Sequence, residues 1–449
     1  MKLQAIYKNS TLATILHIFS NVIDNMKILH IVHQYAPDFV GGTELYTATL
    51  AAEQAQRHHK VSVFVPSTQA PTVTNQTLIK NDENGINVYR VLVGSRSATQ
   101  LFAETLYSSS IIVSAFQQVL AEVAPDIVHI QHLMGLPTAI IDILVQAKTP
   151  YVVTLHDYWY GCANAQLLTN YDQTICAGPN RLFTNCGRCA FSRAGQDKVA
   201  KYLAPTLAPL MGYRQHKLRQ ALTYAKAVIP PTRFVQTAYE QMGFNTTNFT
   251  LVPHGIKLPE ELISAAKATA FEKRSALLAR LVVTYIGGIA PQKGLHTLIQ
   301  AFNDLPDDAT LTIYGDLDKF PDYVSQLRQL ITHPQITLAG RLPHDQIWSV
   351  MATADFVAIP THWYEASPLI IDEVFAVGTP LLASRIGALT EKIRHDIDGW
   401  LVPSDDVPAW KKALHLIYTD QEMRQRLQAN IRPVFSLDSH VEKIVSLYN

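Results

Sequence analysis

Two carboxylates, Glu365 and Glu373, stand with seven residues between them in I-P-T-H-W-Y-E-A-S-P-L-I-I-D-E-V-F-A-V-G-T-P, from Ile359 to Pro380. Ser367 reads as a helix N-cap and Pro368 as the first helical residue, because proline has no N–H to lose there and its φ is already helical. The free amides and positive dipole end of such a helix suit an anion such as a diphosphate. Glu373 then lies about one and a half turns in, within reach of a neighbouring hydroxyl. Glu365 sits in the loop ahead, facing whatever the phosphate carries. Two Glu at this spacing alone also describe a surface helix with two solvated acids.

The same stretch, with Gly378-Thr379-Pro380, Gly387 and Glu391 following it, resembles the E-x7-E signature of retaining nucleotide-sugar glycosyltransferases of group 1, family four. The resemblance implies an α/β chain of the GT-B fold: two Rossmann-like parallel-sheet domains facing each other across a cleft. It also implies roles. Glu365 contacts the donor sugar, Glu373 holds the ribose hydroxyls, and the backbone of Ser367, Pro368, Leu369 and Ile370 holds the β-phosphate. The usual proposal for the family is a front-face displacement in which the departing phosphate takes the acceptor proton, with no metal in the chemistry.

The elements that must position these groups follow the pattern of a doubly wound chain. Met26 to Tyr35 is a largely apolar run of the kind found in strands buried on both faces. It leads to Gly41-Gly42 ahead of a helical pattern, and small residues there let a ligand approach the backbone. By resemblance this glycine turn faces the donor diphosphate; a plain tight turn is the competing reading. No G-x-G-x-x-G is found, which argues against a dinucleotide enzyme. Further strands are expected at Val61 to Pro66, Pro125 to Ile130, Tyr151 to Leu155, Ala227 to Thr232 and Phe249 to Gly255, with helices around Glu104 to Val123. His156 follows the strand that starts at Tyr151, at the carboxyl end where such sheets bind ligands. By resemblance it borders the donor sugar, while His129 and His132 read as structural or acceptor-side.

A second sheet is expected from Leu281 to Ile286, then at Leu311 to Gly315, Ile336 to Leu342, Ala354 to Pro360 and Pro380 to Ala383. Lys293 sits in G-G-I-A-P-Q-K-G, a turn before a helix, where its point charge can meet a phosphate. The family pairs this Lys with an Arg five residues upstream, and this chain has Gly288 there. Arg341 and Leu342 fall on the family's base-binding turn. Asp316-Leu317-Asp318 matches a metal-binding D-x-D by letters only and reads as loop.

The four cysteines, Cys162, Cys176, Cys186 and Cys189, all lie between residues 160 and 190. In a reducing compartment such a group reads as a structural zinc site or as free or redox-paired thiols. Either way, a structural metal there leaves the chemistry metal-independent.

A length of 449 residues suggests two or three domains. The boundaries expected are an extension over 1–25, an acceptor-side domain over 26–258 with the cysteine insert, a donor-side domain over 259–432, and a C-terminal helix over 433–449 that crosses back. The extension looks faintly like a signal peptide but has no small-x-small cleavage site, and reads as dispensable. Net charge is zero, so nucleic acid is not an expected partner. Between Arg181 and Arg233 bases outnumber acids, a segment that can lie on an anionic membrane or form a solvated face. The expected place is the cytoplasm, including the inner face of its membrane. The expected partners are a nucleoside-diphosphate sugar donor and a glycan or lipid-linked acceptor, as in surface polysaccharide assembly; a soluble acceptor competes with the last. A scaffold of the same fold that binds a sugar nucleotide without catalysing transfer is the alternative function.

Overall fold

The computed structural model describes residues 25–39, 41–69, 77–106, 109–276 and 280–449. The 1–25 extension therefore lies, up to residue 24, outside the described residues. Two sheets organise the rest. The first contains seven strands in the order β3-β4-β2-β1-β5-β6-β7: β1 (Lys27–Ile31), β2 (Lys60–Ser67), β3 (Leu78–Glu83), β4 (Ile86–Leu92), β5 (Ile127–Ile130), β6 (Tyr151–Thr154) and β7 (Ala227–Ile229). β1 pairs in parallel with β2 and β5, β2 with β4, and β5 with β6, while β3 runs antiparallel to β4. Strands such as β1 and β5 are buried along nearly their whole length, as in a parallel sheet covered on both faces.

The hairpin β3–β4 has no counterpart in the sequence reading. Its turn is Asn84-Gly85, with φ of 56° and 83°, the left-handed pair that a two-residue hairpin requires. Two expected spans also resolve differently. The helical region around Glu104 to Val123 is two helices, Ala98–Leu106 and Ser110–Val123. Phe249 to Gly255 forms no regular strand; Phe249 makes an isolated bridge to Val228.

The second sheet has six strands in the order β10-β9-β8-β11-β12-β13: β8 (Leu281–Ile286), β9 (Ala309–Tyr314), β10 (Ile336–Gly340), β11 (Phe356–Ile359), β12 (Leu381–Ser384) and β13 (Gly399–Val402). Every pairing is parallel. Two apolar clusters flank it, one around Phe302, Leu311 and Trp410, the other around Trp348, Ile371 and Leu389. The fold class is that expected, two parallel-sheet α/β domains.

By contacts the chain groups into two compact units, one holding the strands through Val153 together with Tyr224–Lys226, the other Thr154–Thr223 and Ala227–Asn449. Within the second, the helix Leu437–Ser446 packs on the segment Pro253 to Ile256. His440 Nδ1 donates to Pro253 O at 2.7 Å, and Leu437 N donates to Ile256 O at 3.0 Å. Gly255 is required at this crossing, since a Cβ there would sit 2.5 Å from Ser436 O.

Candidate active site

The carboxyl ends of β8 and β11 carry the central pair. After β8 the chain turns through a 3-10 segment, Pro291–Lys293, and Gly294 takes φ of 69° before the helix Leu295–Phe302. A Cβ at Gly294 would lie 2.0 Å from Pro360 O, so only glycine allows this turn to close on the loop after β11. His362 N and Thr361 Oγ1 both donate to Gln292 O, at 3.1 Å each. The closure brings Lys293 Nζ to 2.6 Å from Glu365 Oε1. Glu365 Oε1 also accepts from Trp363 Nε1 at 2.8 Å and lies 3.5 Å from Thr361 Oγ1. Lys293 stands 5.3 Å from the Trp363 ring centre, so the indole carries both charged groups. With Glu365 only 13% exposed, solvent screens the pair weakly.

The helix beyond Glu365 starts later than its sequence suggests. It spans Ile370–Val377, and Ser367 does not cap it. The Ser367 hydroxyl is occupied by Lys392, whose Nζ lies 3.3 Å from Ser367 Oγ and 3.4 Å from Pro368 O and pairs with Asp372. Pro368 instead opens a tight turn, its carbonyl accepting from Ile371 N at 3.3 Å. Among the described residues, the N–H groups of Ser367, Leu369 and Ile370 donate to no protein group. Undirected amides at a helix start of this kind are the groups that an anion can engage. Glu373 thus falls in the first helical turn. Its carboxylate makes no hydrogen bond among the described residues, and burial, then the neighbouring Asp372, pushes its pKa above the usual carboxylate range.

His156 lies just past β6, its ring 5.3 Å from that of His254 and tilted by 29°. Tyr158, buried two residues on, places its hydroxyl 3.5 Å from Glu365 O, and burial, then Glu365, raises its pKa well above the phenol range. On the other flank Thr232 Oγ1 donates to Ala366 O at 3.0 Å, and Glu391 accepts from Arg233 N and Phe234 N at 3.0 Å each. The loop from Glu365 to Ser367 is therefore held on both sides. Arg341 is an exposed side chain paired with Asp316 Oδ2 at 2.7 Å, and Leu342 follows it; neither contacts the Lys293 and Glu365 pair. Gly41 caps the helix Gly42–Gln56 in extended backbone, and a Cβ on it would sit 2.4 Å from Glu44 Oε2. His129 is fully buried, beside His30, with ring centres 5.3 Å apart.

Comparison with known families decides what this arrangement belongs to. Residues 267–434 match the family described as Glycosyl transferases group 1, and residues 40–259 match Glycosyltransferase Family 4. The chain belongs to the group 1 glycosyltransferases. Similar relatives include a D-inositol 3-phosphate glycosyltransferase of Xylanimonas cellulosilytica, 26% identical over 55% of this chain and 62% of that protein. Another is the uncharacterized glycosyltransferase MJ1607 of Methanocaldococcus jannaschii, 24% identical over 94% of this chain and 98% of that one. The next two curated relatives are matched over only 45% and 49% of their length, so the match spans about half to three fifths of the first relatives. Among solved structures, Anabaena HepE in complex with UDP and glucose superposes with a TM-score of 0.61 at 19% identity, over 94% of this chain and 98% of that one. WaaG, a glycosyltransferase of lipopolysaccharide biosynthesis, gives 0.62 at 16% over 94% and 99%.

In this group 1 family member the structure adds residues that the sequence reading did not single out. Trp363 and Thr361 join Glu365, and Lys392 puts a second cation at the end of the helix that begins at Ile370. No local sequence signal marks Lys392, which meets Ser367, Pro368 and Asp372 only through the fold. The four cysteines fall in one unit of loops and the helix Thr184–Arg193. Cys186 feels the other three sulfurs electrostatically, Cys189 feels Cys162 and Cys176, and Cys176 feels Cys162. Burial, ahead of these neighbours, raises Cys186 to about 12 and Cys189 to about 11. Of the basic segment, Lys198 and Lys201 are exposed, but Arg214 is buried, donating to Trp159 O at 2.7 Å; it is lost to any membrane-facing surface.

Proposed function

We propose that the protein transfers a sugar, with retention at the anomeric carbon, from a nucleoside-diphosphate sugar to an acceptor hydroxyl. The observation that carries this reading is the pairing of Lys293 with Glu365 directly ahead of three undirected backbone amides. An anionic diphosphate at those amides would take Lys293 as its counter-charge, leaving Glu365 and His156 to hold the sugar. Lys392 stands in for the cation absent at Gly288. Glu373, whose carboxylate makes no hydrogen bond among the described residues, is available to the ribose hydroxyls, and the Arg341-Leu342 turn and the Gly41-Gly42 turn are assigned to the base and the diphosphate. The departing phosphate oxygen accepts the acceptor proton, so the chemistry needs no metal.

In this reading 26–258 carries the acceptor, 259–432 the donor, and 433–449 the returning helix. A lipid-linked or nascent glycan is the assigned acceptor, at the cytoplasmic face of a membrane. Support comes from Leu182, Val199, Tyr202 and Leu203, exposed between 40% and 79% beside Lys198 and Lys201, an apolar and basic mixture suited to an anionic surface. No helix of the described residues is long and apolar enough to cross a membrane.

The four cysteines are assigned to a structural zinc ion, which would have to draw them together, since no three of their sulfurs lie within 4.8 Å of one another. Asn170 N donates to Cys189 Sγ at 3.3 Å and Gly178 N to Cys176 Sγ at 3.4 Å, bonds that strengthen when the sulfur is a thiolate. Arg214, buried beside Cys162 and Cys186, supplies the positive charge that a tetrathiolate site would need around it.

The test is nucleotide release from UDP-, GDP- and ADP-sugars with EDTA present, comparing the native chain with Glu365→Ala and Glu373→Ala. One donor turned over, with loss in both variants, supports the reading. Binding of a donor without turnover against any acceptor would favour the scaffold alternative.

A further inference from the structure

A second cluster of ligand-type side chains lies beside the Lys293 turn and has no part in the reaction above. His296 is in the first turn of the helix Leu295–Phe302. Its Nδ1 is hydrogen-bonded to Tyr323 OH at 2.9 Å, and its Nε2 lies 3.4 Å from Asp405 Oδ1. His362, on the loop after β11, brings its ring centre to 5.6 Å from that of His296 at 59°. One ligating atom from each of His296, His362 and Asp405 lies within 4.8 Å of the other two, the sole such trio among the described residues.

The surroundings fit ligands more closely than they fit a plain ion pair. Tyr323 fixes the His296 ring through Nδ1, which leaves Nε2 to face the cluster. Thr297 Oγ1 donates to Asp405 Oδ1 at 3.0 Å and orients that carboxylate. Outer hydrogen bonds of this kind set ring orientation and ligand basicity at metal centres. An ion pair of protonated His296 with Asp405 would use two of the three residues and leave His362 without a task. The His362 ring takes no hydrogen bond among the described residues, and its Nδ1 is buried without a partner. A buried polar nitrogen left this way costs about 1–3 kcal/mol. Asp405 also holds φ of 56°, a left-handed backbone that places its carboxylate over the start of the helix and that few residue types besides Gly, Asn and Asp accept.

We propose that His296, His362 and Asp405 form a three-ligand site for a late first-row divalent ion of the zinc type, with a further position left to water. Two imidazoles and one carboxylate are the ligands such ions take, and magnesium or calcium would call for oxygen instead. The ion would tie together the loop after β11, the first turn after Lys293 and the loop after β13. Its function is to brace the segments that carry Glu365 and Lys293, without touching the donor.

Cobalt(II) is the probe, because its visible absorption reports coordination and a sulfur ligand adds an intense near-ultraviolet band. Cobalt at the cysteines and cobalt at this site are thereby read separately. The expected result for the full chain carrying Cys186→Ser, which empties the cysteine unit, is a saturable visible absorption free of the sulfur band. Its dissociation constant should rise by at least about tenfold in His362→Ala and in Asp405→Asn, with circular dichroism unchanged. Asp405 is exposed, so its variant keeps the test valid if His362→Ala fails to fold. Cobalt bound only through sulfur, or bound equally well by Asp405→Asn, overturns the proposal.

Discussion

Lys293 Nζ stands 2.6 Å from Glu365 Oε1, although the two residues belong to turns after different strands. The contact exists because Gln292 O takes both Thr361 Oγ1 and His362 N, which locks the two turns edge to edge. In the proposed reaction a donor diphosphate competes for the Lys293 charge and releases Glu365 toward the sugar.

Two residues that share one contact should not lose activity independently. Lys293→Met and Glu365→Gln are each expected to lower kcat/KM by roughly 10²-fold, the scale of a removed charge-stabilising group. The double variant should fall by much less than the product, since each single change already breaks the pair. Steady-state kinetics of the four proteins with one donor check this; fully multiplicative losses would show that the two act separately.

Lys392 is expected to serve the phosphate in place of the Arg missing at Gly288. Lys392→Met should raise the donor KM about tenfold or more, given ~1.5–3 kcal/mol for a charge-assisted hydrogen bond. A Cβ at Gly288 meets nothing within 4 Å, so a side chain can start there without a clash. Adding Gly288→Arg to Lys392→Met should restore donor affinity, and no recovery in a donor titration would place the role of Lys392 elsewhere.

Acid should destabilise the fold through buried neutral histidines. His30 is held between Gln54 Oε1 at 2.7 Å and Gln131 Nε2 at 3.1 Å, and burial lowers its pKa to about 4. His440, donating to Pro253 O, is likewise lowered to about 4 by burial. Between pH ~6.5 and ~4 the unfolded chain binds protons that the folded chain refuses, so stability is full above this window and falls as pH drops through it. Each group accounts for on the order of 3 kcal/mol at its acid limit. Urea midpoints across this window should decline, and His440→Asn should flatten the decline.

If zinc occupies the cysteine unit, purified protein should carry, by elemental analysis, one zinc per chain more than a Cys186→Ser variant does. Cys186→Ser should release it and lower Tm. Metal-free thiols at these positions would be protonated at neutral pH, given pKa values of about 12 and 11 for Cys186 and Cys189, and slow to alkylate. Zinc-free protein with native Tm would reduce the unit to four half-buried thiols.

Much of this architecture is legible in the sequence because apolar runs sit between Gly and Pro. Leu281–Ile286 and the helix Leu295–Phe302 fall where their patterns place them. The hairpin strand Leu78–Glu83 is not legible as a strand: its Lys80, Asn81 and Asp82 are exposed, and an edge strand needs no apolar face. Its turn, Asn84-Gly85, was the signal available. At the site, the two Glu and Lys293 are announced by spacing and flanking glycines. Trp363 and Thr361 lie in a loop with no periodicity, so only the folded contact with Glu365 reveals them. Ser367 misleads for a related reason. Its local context is that of a cap, but Lys392, 25 residues further on, takes the hydroxyl, and no local rule anticipates a partner at that distance.

Gly294 gives the molecule an inherited constraint of a different kind. Because any side chain at this point would collide with Pro360 O, the meeting of the Lys293 turn and the Glu365 loop depends on a hydrogen atom rather than on either charged residue. Gly294→Ala is therefore a lesion with every charge intact. A lineage, or a directed-evolution library, could exchange Trp363 or Thr361 and retune the pocket for a new sugar, but it could not exchange Gly294 without first rebuilding both turns.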